Sequence, residues 1–385
     1  MTLDTQVAAE PLDLQAAADR LADRVLADAD LARRLLAILE AGAFAQAAAA
    51  ACDLPVEAVR ALTGHGWSGL VRHDLPPVGW LPVEVASGPG YPTRWAFFGE
   101  ERLTDSFYQM SADALNARPL NRALRLWTPL DVVRSAPPGP APDGLIFHMS
   151  RCGSTLAAQM LAASPAHVVV SEAQPIDAVV MLTRDGADGG ALLRAMVAVM
   201  ARRRNPEEQR LFLKLDCWHS LALPLFRQAF PRTPWIFQYR DPVEVLVSQD
   251  RQAGVQMVPE LVPAAFYGLE GADGVVDADY HARVLAKVCE GALAAFPEGG
   301  GQLVDYRQLP GAVFTKILPH FGVAPDPAER ALMAAAAGQD AKATWAAFTP
   351  DSADKRAEAS ETIRTAAARH LDAIHARLEA VRLAT

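Results

Sequence analysis

Short apolar runs, each followed by helical sequence, dominate the chain from residue 144 onwards. The runs that we assign as strands are Leu145–Met149, Val168–Ser171, Leu211–Leu215, Trp235–Tyr239 and Leu303–Tyr306. Because strands that alternate with helices form parallel sheets covered by helices, this pattern predicts an α/β fold with three layers, α/β/α, around a mainly parallel sheet. Right-handed crossovers then gather the carboxyl ends of these strands at one edge of the sheet.

The first part of the chain has a different pattern, and we expect it to form a smaller N-terminal α+β module. Its predicted elements are helical sequence at Leu14–Ala51 and Pro55–Leu62, and strand-like segments at Leu70–His73, Trp80–Val85 and Arg94–Phe98. The sequence SAPPGPAPD at residues 135–143 is typical of a semi-rigid linker. The predicted domains are therefore an accessory module at 1–134, the linker at 135–143 and the α/β domain at 144–385.

The role of the module is open at this point. Three short helices before a set of strands are compatible with a winged-helix module, but Pro55–Leu62 has one arginine, one glutamate and no basic recognition face. We therefore favour a cap or docking element that shapes an acceptor pocket or a homodimer contact. Arg118, Arg122 and Arg125 lie near one face of the next helical segment, where they either face solvent or meet an anionic acceptor.

Composition and charge narrow the classes of function. The chain has 385 residues, 51% of them hydrophobic, and a net charge of -9, which argues against a general nucleic-acid binder. Its four cysteines have neither disulfide-framework nor zinc-site spacing. The start, MTLDTQVAAEPLD, has no secretion signal, and no stretch is long and apolar enough to cross a bilayer. We expect a cytoplasmic enzyme of bacterial type without an integral membrane segment.

The segment GLIFHMSRCGSTLAAQML at residues 144–161 carries the strongest chemical signal. It runs from a strand through a small polar turn into a helix, and the first amide groups of a helix form an anion site. Gly153 allows close approach of the backbone, Ser154 and Thr155 add hydroxyl groups, and Arg151 adds a permanent charge. The common nucleotide loop GxxxxGK has a lysine where this chain has Ser154.

This turn resembles the 5′-phosphosulfate loop of sulfotransferases that use 3′-phosphoadenosine-5′-phosphosulfate (PAPS). The resemblance implies a P-loop NTPase-like sulfotransferase fold, PAPS as the sulfuryl donor, and 3′-phosphoadenosine-5′-phosphate (PAP) as the product. It implies that the donor is bound by Arg151, Cys152, Gly153, Ser154 and Thr155. The family more often has serine where this chain has Cys152, and an exposed thiol there would make the loop sensitive to oxidation.

A second segment, WIFQYRDPVEVLVS at residues 235–248, extends the resemblance. Sulfotransferases have a similar strand, Arg-Asp-Pro-type turn and helix, whose arginine and later serine hold the 3′-phosphate. Here these positions are Arg240 and Ser248, and an arginine at the end of a strand can offer a planar fork to a phosphate. Lys355 and Arg356 stand where such enzymes often have a basic loop over the nucleotide, and they are further candidates for the 3′-phosphate.

The resemblance also suggests the acid–base groups. Glu172 follows its strand at a spacing from Arg151 close to that in tyrosylprotein sulfotransferases and similar enzymes, in which a glutamate deprotonates the acceptor. Lys214 matches the lysine at the strand end of these enzymes. Many members place a catalytic histidine two residues after that lysine, but this chain has Asp216 there. His219 lies one helical turn further on. Glu172 is therefore preferred as the general base over Asp216 and His219.

The implied reaction is in-line transfer of a sulfuryl group from PAPS to a hydroxyl group, or less favourably an amine, of a small-molecule, glycan, lipid or peptide acceptor. No metal is expected, since Arg151 and Lys214 can neutralise the developing charge. Two alternatives are a kinase-like enzyme in which Asp216 holds Mg²⁺, and a non-catalytic docking protein. The sulfotransferase hypothesis requires Arg151, Glu172, Lys214 and Arg240 to lie along the same edge of the sheet.

Overall fold

The computed structural model describes residues 13–183, 188–269, 276–339 and 351–384. The chain forms two compact units, one of residues 1–101 and 112–133 and the other of residues 102–111 and 134–385. The short segment 102–111 therefore groups with the α/β unit, although it precedes the linker in sequence. That residues 1–134 act as a separate accessory domain remains a prediction.

The first unit is built on helices and a small sheet. Its elements include α1 (Leu14–Ala27), α2 (Ala29–Leu36), α3 (Ala41–Cys52), α4 (Val56–Leu62), β1 (Leu70–Val71), β2 (Trp80–Val85), β3 (Thr93–Phe97), α6 (Pro119–Leu124), β4 (Leu126–Thr128) and most of α7 (Leu130–Arg134), and α5 (Tyr108–Asn116) begins in the other unit. The strand order is β1-β4-β3-β2, with only the β1–β4 pair parallel. Asp28 ends α1 and caps α2 through its side chain, so the predicted helical stretch 14–51 is divided.

The second unit contains the predicted parallel sheet. Its first elements are β5 (Gly144–His148), α8 (Ser154–Ala162), β6 (His167–Ser171), α9 (Gln174–Thr183), α10 (Gly189–Met200), β7 (Arg210–Lys214), α11 (Leu223–Ala229), β8 (Trp235–Tyr239) and α12 (Pro242–Arg251). Then come α13 (Ala278–Ala295), β9 (Gly301–Asp305), α14 (Leu318–His320), α15 (Pro327–Ala336), α16 (Ser352–Glu358), α17 (Glu361–His370) and α18 (Asp372–Ala384). The five strands pair in parallel throughout, and the α/β fold class is confirmed.

The C-terminal helices differ from the expectation of one helix over residues 357–383. The chain breaks after α16, and the side chain of Ser360 then accepts a hydrogen bond from the backbone of Ile363 to cap α17. A second break at Leu371 separates α17 from α18. In the parts of the chain that the structure describes, no helix combines the length and the apolar character needed to cross a bilayer.

The order of strands in the sheet, β6-β7-β5-β8-β9, determines where a ligand can bind. The chain leaves the central strand β5 toward β6 on one side and reaches β8 and β9 on the other. The strand order therefore reverses beside β5, and α/β sheets bind ligands at the carboxyl ends of strands near such a point. The loop at residues 150–155 follows β5 directly.

Every residue of β5 and β8 is buried, so both faces of the sheet are covered. Aromatic side chains form much of the core there. Phe147 meets Phe226 edge-on at 5.4 Å between ring centroids and Trp235 at 6.1 Å. Phe212 stacks on Phe321 at 5.7 Å in the cluster that also includes α8 and α15. These contacts hold the central strands in place from both sides, and thereby hold the loops at their ends.

Helix α13 supports the segment that follows β7. A 3₁₀ helix at Cys217–Ala222 carries His219, and the hydroxyl group of Ser220 donates to the carbonyl oxygen of Val288 on α13 at 2.7 Å. A Cβ atom on Gly291 would lie 2.7 Å from the carbonyl oxygen of Ser220. The glycine thus permits the close approach of α13 to this segment.

We predict that Gly291→Ala destabilises the fold by about 1–3 kcal/mol, because its methyl group would press on the backbone at Ser220. The matched control is Gly311→Ala, since a Cβ atom at Gly311 meets nothing within 4 Å. That variant should stay within about 0.5 kcal/mol of the parent protein. Urea unfolding measures both, and equal stabilities of the two variants would contradict the predicted packing.

Candidate active site

The loop after β5 has a strained backbone. Ser150 and Arg151 have positive φ angles of 79° and 50°, a conformation that costs non-glycine residues about 1–3 kcal/mol each. Two buried amide groups hold the turn, since Nε2 of Gln249 and Nε2 of Gln256 donate to Oγ of Ser150 at 3.1 and 2.8 Å. Strain that is maintained in this way is typical of a site where the backbone itself binds a ligand.

Gly153 is required where this loop enters α8. Its φ angle is 83°, and a Cβ atom there would lie 2.8 Å from Cδ1 of Leu309 and 2.9 Å from Cδ2 of Tyr306. The helix then begins at Ser154 without a side-chain cap. Its first amide groups and its dipole favour an anion at this position. This backbone is compatible with an anion site, which stays a prediction.

The side chains of the loop point in different directions. The guanidinium group of Arg151 donates to the carbonyl oxygen of Gln252 at 2.5 Å. Sγ of Cys152 lies 3.2 Å from the carbonyl oxygen of Gln238 in β8 and is fully buried. Burial raises the pKa of this thiol to about 11, so Cys152 remains protonated and its backbone, rather than its sulfur, is available to a ligand.

Glu172 and Lys214 form an ion pair at the carboxyl edge of the sheet. Lys214 is the last residue of β7, Glu172 is the first residue after β6, and Nζ donates to Oε1. The backbone N–H of Glu172 also donates to the carbonyl oxygen of Lys214 at 2.7 Å. Nζ lies 5.1 Å from the centroid of the Phe107 ring, so the cation has an aromatic contact as well.

His148, the last residue of β5, is a member of this site that the sequence did not suggest. Its Nδ1 accepts a hydrogen bond from the backbone N–H of Ser150 at 3.1 Å, which assigns the proton to Nε2. Nε2 lies 3.2 Å from Oε1 of Glu172. Burial lowers the pKa of His148, so the ring is a neutral donor that faces the carboxylate.

The charge state of Glu172 follows from these contacts. Burial alone would disfavour the carboxylate, but Lys214 and His148 outweigh burial and hold the pKa of Glu172 well below its usual value. Its side chain keeps 22% of its surface exposed, while Lys214 is completely enclosed. Glu172 is therefore an ionised carboxylate that solvent and a ligand can both reach.

Asp216 and His219 belong to a neighbouring cluster. Nε2 of His219 lies 2.9 Å from Oδ1 of Asp177 and 3.9 Å from Oδ2 of Asp216. Nε1 of Trp218 donates to the same oxygen of Asp177 at 2.8 Å. Burial, followed by the charges of Glu172 and Asp177, raises the pKa of Asp216 well above its usual value. The raised pKa favours the protonated form of Asp216, and His219 is bonded to Asp177.

Among the residues that the structure describes, two sets of side chains have the spacing of a cation site. Asp177, Asp216 and His219 offer ligand atoms within 4.8 Å of one another, as do Asp305, His375 and Glu379. In the second set the carboxylates are already paired with arginines, Asp305 with Arg307 at 2.8 Å and Glu379 with Arg382 at 2.9 Å. In the first set a protonated Asp216 would have to lose its proton before it could bind a metal ion.

Arg240 lies in a buried cluster of charges after β8. Its Nε donates to Oε2 of Glu244 at 2.6 Å and its Nη2 donates to Oδ1 of Asp351 at 2.9 Å. The guanidinium group lies 3.9 Å above the centroid of the Tyr306 ring. The Ser248 hydroxyl donates to the carbonyl oxygen of Glu244 at 2.8 Å, within the helix.

Lys355 and Arg356 join the same cluster from α16. Nζ of Lys355 lies 2.7 Å from Oδ2 of Asp351, and Nε of Arg356 lies 3.1 Å from Oε1 of Glu244. The structure thus brings together the cations that the sequence proposed for one phosphate group, although more than 100 positions separate Arg240 from α16. It also adds two acids, Glu244 and Asp351, that the sequence analysis did not include.

The predicted convergence at one edge is confirmed. Arg151, Glu172, Lys214 and Arg240 follow or end the strands β5, β6, β7 and β8, all of which run in the same direction. In strand order the loop at 150–155 lies between Lys214 on one side and Arg240 on the other. The catalytic and binding roles of these residues remain predictions, but their common position is a property of the sheet.

A scan against protein-family models and a search of curated proteins both give no match for this chain. Among solved structures, the chain is similar to a sulfotransferase domain from the curacin biosynthetic pathway, at 17% identity and a TM-score of 0.38 over 61% of this chain and 98% of that one. It is similar to sulfotransferase STF9 from Mycobacterium avium, at 14% identity and a TM-score of 0.39 over 63% and 78%. It is also similar to a sulfotransferase from Alicyclobacillus acidocaldarius, at 15% identity and a TM-score of 0.35 over 61% and 96%.

We predict that Lys214→Met destabilises the protein by about 3 kcal/mol near neutral pH, because Glu172 would lose the partner of its charge. In the parent protein the pKa of Glu172 is lower when folded than when unfolded, so its stabilisation is present above about pH 4 and is lost as the pH falls further. Without Lys214, burial raises the pKa of Glu172. The loss of stability in the variant should therefore become smaller as the pH falls and the carboxylate is protonated.

Urea unfolding at about pH 7 and about pH 5 measures this difference. The double variant Lys214→Met with Glu172→Gln is the control, since it removes both charges and should regain most of the lost stability. If the double variant is as unstable as the single one, Lys214 stabilises the fold through packing of its aliphatic stem and not through the ion pair.

Proposed function

We propose that the chain is a PAPS-dependent sulfotransferase. The observation that carries the proposal is the position of two anion sites, the loop at 150–155 and the Arg240 cluster, at one sheet edge that also holds the Glu172–Lys214 pair. A donor with a 5′-phosphosulfate and a 3′-phosphate needs two separate anion sites, and transfer needs a base next to one of them. The chain offers all three at the carboxyl ends of adjacent strands.

The residues present fit this donor. The strained turn, the obligatory Gly153 and the uncapped start of α8 suit the 5′-phosphosulfate. Arg240, Lys355 and Arg356, with Ser248 nearby, suit the 3′-phosphate. When bound, PAPS supplies the sulfuryl group that passes to the acceptor oxygen. Arg151 and Lys214 place positive charge near the loop, where it stabilises the negative charge that increases during transfer.

Glu172 is the proposed general base. It is ionised and partly exposed, whereas burial raises the pKa of Asp216 and His219 is bonded to Asp177. His148 is a positioning residue, since its Nε2–H group faces the carboxylate. A carboxylate with so low a pKa is a weak base, but Lys214 is the group that lowers it most. An anion that draws Lys214 away therefore raises the basicity of Glu172, which couples donor binding to proton removal.

A second candidate is a Mg²⁺-dependent nucleotide enzyme with its cation at Asp177, Asp216 and His219, whose spacing supports it. The raised pKa of Asp216 and the absence of a lysine after Gly153 weigh against it. The two candidates differ in metal dependence. Chelation should stop the second activity and leave sulfuryl transfer intact.

The remaining parts of the proposal concern the acceptor, the assembly and the compartment. The acceptor is a hydroxyl group of a small molecule, glycan, lipid or peptide, with an amine as the less favoured choice. Residues 1–134 shape the acceptor pocket or a homodimer contact. The proposed compartment is the cytoplasm, a choice supported by four cysteines that are unpaired and buried.

We predict that the protein binds PAP without metal at least about 100-fold more tightly than AMP, since the 3′-phosphate meets two buried cations. Arg240→Ala should remove most of that preference. The matched control is Arg194→Ala, because Arg194 lies on α10 with its Nη1 3.3 Å from the carbonyl oxygen of Gln228, far along the chain from the phosphate loop.

Calorimetric titration with PAP, AMP and ATP measures these affinities, with and without Mg²⁺. A preference for ATP that requires Mg²⁺ would favour the second candidate. Equal affinities for PAP and AMP in the parent protein would contradict the sulfotransferase proposal.

The assignment of the base makes a separate prediction. Glu172→Gln should lower transfer by at least about 100-fold, the usual effect of a lost general base, while leaving PAP binding within a few-fold of the parent value. Asp216→Asn should keep most of the activity, because the raised pKa of Asp216 favours its neutral form, which an amide resembles. Formation of PAP from PAPS in the presence of an acceptor alcohol measures transfer in the direction in which the base removes the proton of the acceptor. If Asp216→Asn loses activity and Glu172→Gln does not, Asp216 is the base and the assignment of Glu172 is wrong.

A further inference from the structure

Asp351 binds the two buried cations of the Arg240 cluster at the same time. Its Oδ1 accepts from Nη2 of Arg240 at 2.9 Å and its Oδ2 lies 2.7 Å from Nζ of Lys355. Both cations are buried, whereas the side chain of Asp351 keeps 39% of its surface exposed. A carboxylate that bridges two cations through separate oxygens occupies them as a phosphate group would.

The other acid of the cluster has a different role. Glu244 is buried and bonded on several sides, to Nε of Arg240, to Nε of Arg356 and to the Ser352 hydroxyl, which donates to it at 2.8 Å. Removal of Glu244 would take from the buried Arg240 the closer of its two carboxylate partners, at a high free-energy cost. Asp351 is the acid that an incoming anion can replace, because it is more exposed and the anion would take over both of its contacts.

We infer that Asp351 is an internal competitor of the ligand's 3′-phosphate: it pairs with Arg240 and Lys355 in the free protein and leaves them when the 3′-phosphate binds. This inference rests on the proposed function. The free energy needed to separate Asp351 from its partners then weakens the binding of PAP. When Asp351 pairs with them again, it favours the release of PAP. A nucleotide without a 3′-phosphate leaves the pair intact, so Asp351 does not change its affinity.

The test is the affinity for PAP and for AMP, without metal, of the parent protein and of Asp351→Asn. The variant should bind PAP about tenfold more tightly, the size of one lost charge-assisted contact, and AMP equally well. Its PAP dissociation rate, measured by stopped flow, should fall correspondingly. The matched control is Asp354→Asn, which removes an acid from the same helix at an exposed position and should leave both affinities close to the parent values.

The outcomes separate this inference from the proposed function. If the parent protein prefers PAP to AMP but Asp351→Asn binds PAP equally or more weakly, the inference is wrong and the proposed function stands. If the parent protein does not distinguish PAP from AMP, the proposed function fails. Asp351→Ser serves as a second variant. If both variants unfold at much lower temperature than the parent, Asp351 is a structural partner of Arg240 and not a competitor.

Discussion

Lys214 is a charged residue that is completely enclosed at the end of β7, and its charge has to be compensated there. Glu172 provides the compensation from the neighbouring strand, and Nε2 of His148 on the central strand lies 3.2 Å from the same carboxylate. Side chains from the ends of three neighbouring strands therefore meet at Glu172. Because breaking a buried pair is costly, the edge of the sheet keeps an ionised carboxylate and a cation side by side, which is the arrangement that a group-transfer site requires.

A second constraint at the same edge of the sheet is the strained backbone of the loop at 150–155. Ser150 and Arg151 remain in an unfavourable conformation because buried amide groups hold the turn, and Gly153 is the residue type that fits against Leu309 and Tyr306. Tyr306 also lies beneath the guanidinium group of Arg240. The Tyr306 ring thus contacts both proposed anion sites, so packing, and not flexible side chains, fixes the distance between them.

Sequence patterns predicted the features that depend on local order. Strand ends in a parallel sheet must meet at one edge, so the positions of Glu172 and Lys214 followed from the strand assignments alone. His148 was missed because a histidine inside an apolar run reads as part of the strand, and its role depends on a turn that bends the backbone N–H of Ser150 toward its ring. The contact of Asp351 with Arg240 spans 111 positions of sequence, and no local pattern encodes it.

The central claim is that the two anion sites bind the two ends of one 3′-phosphorylated nucleotide. A crystal structure of the protein with PAP tests it most directly. The account predicts the 5′-phosphate on the amide groups of residues 151–155 and the 3′-phosphate on Arg240 and Lys355, with Asp351 moved away. A nucleotide bound in the opposite direction, or bound elsewhere with the Arg240–Asp351 pair unchanged, would contradict it.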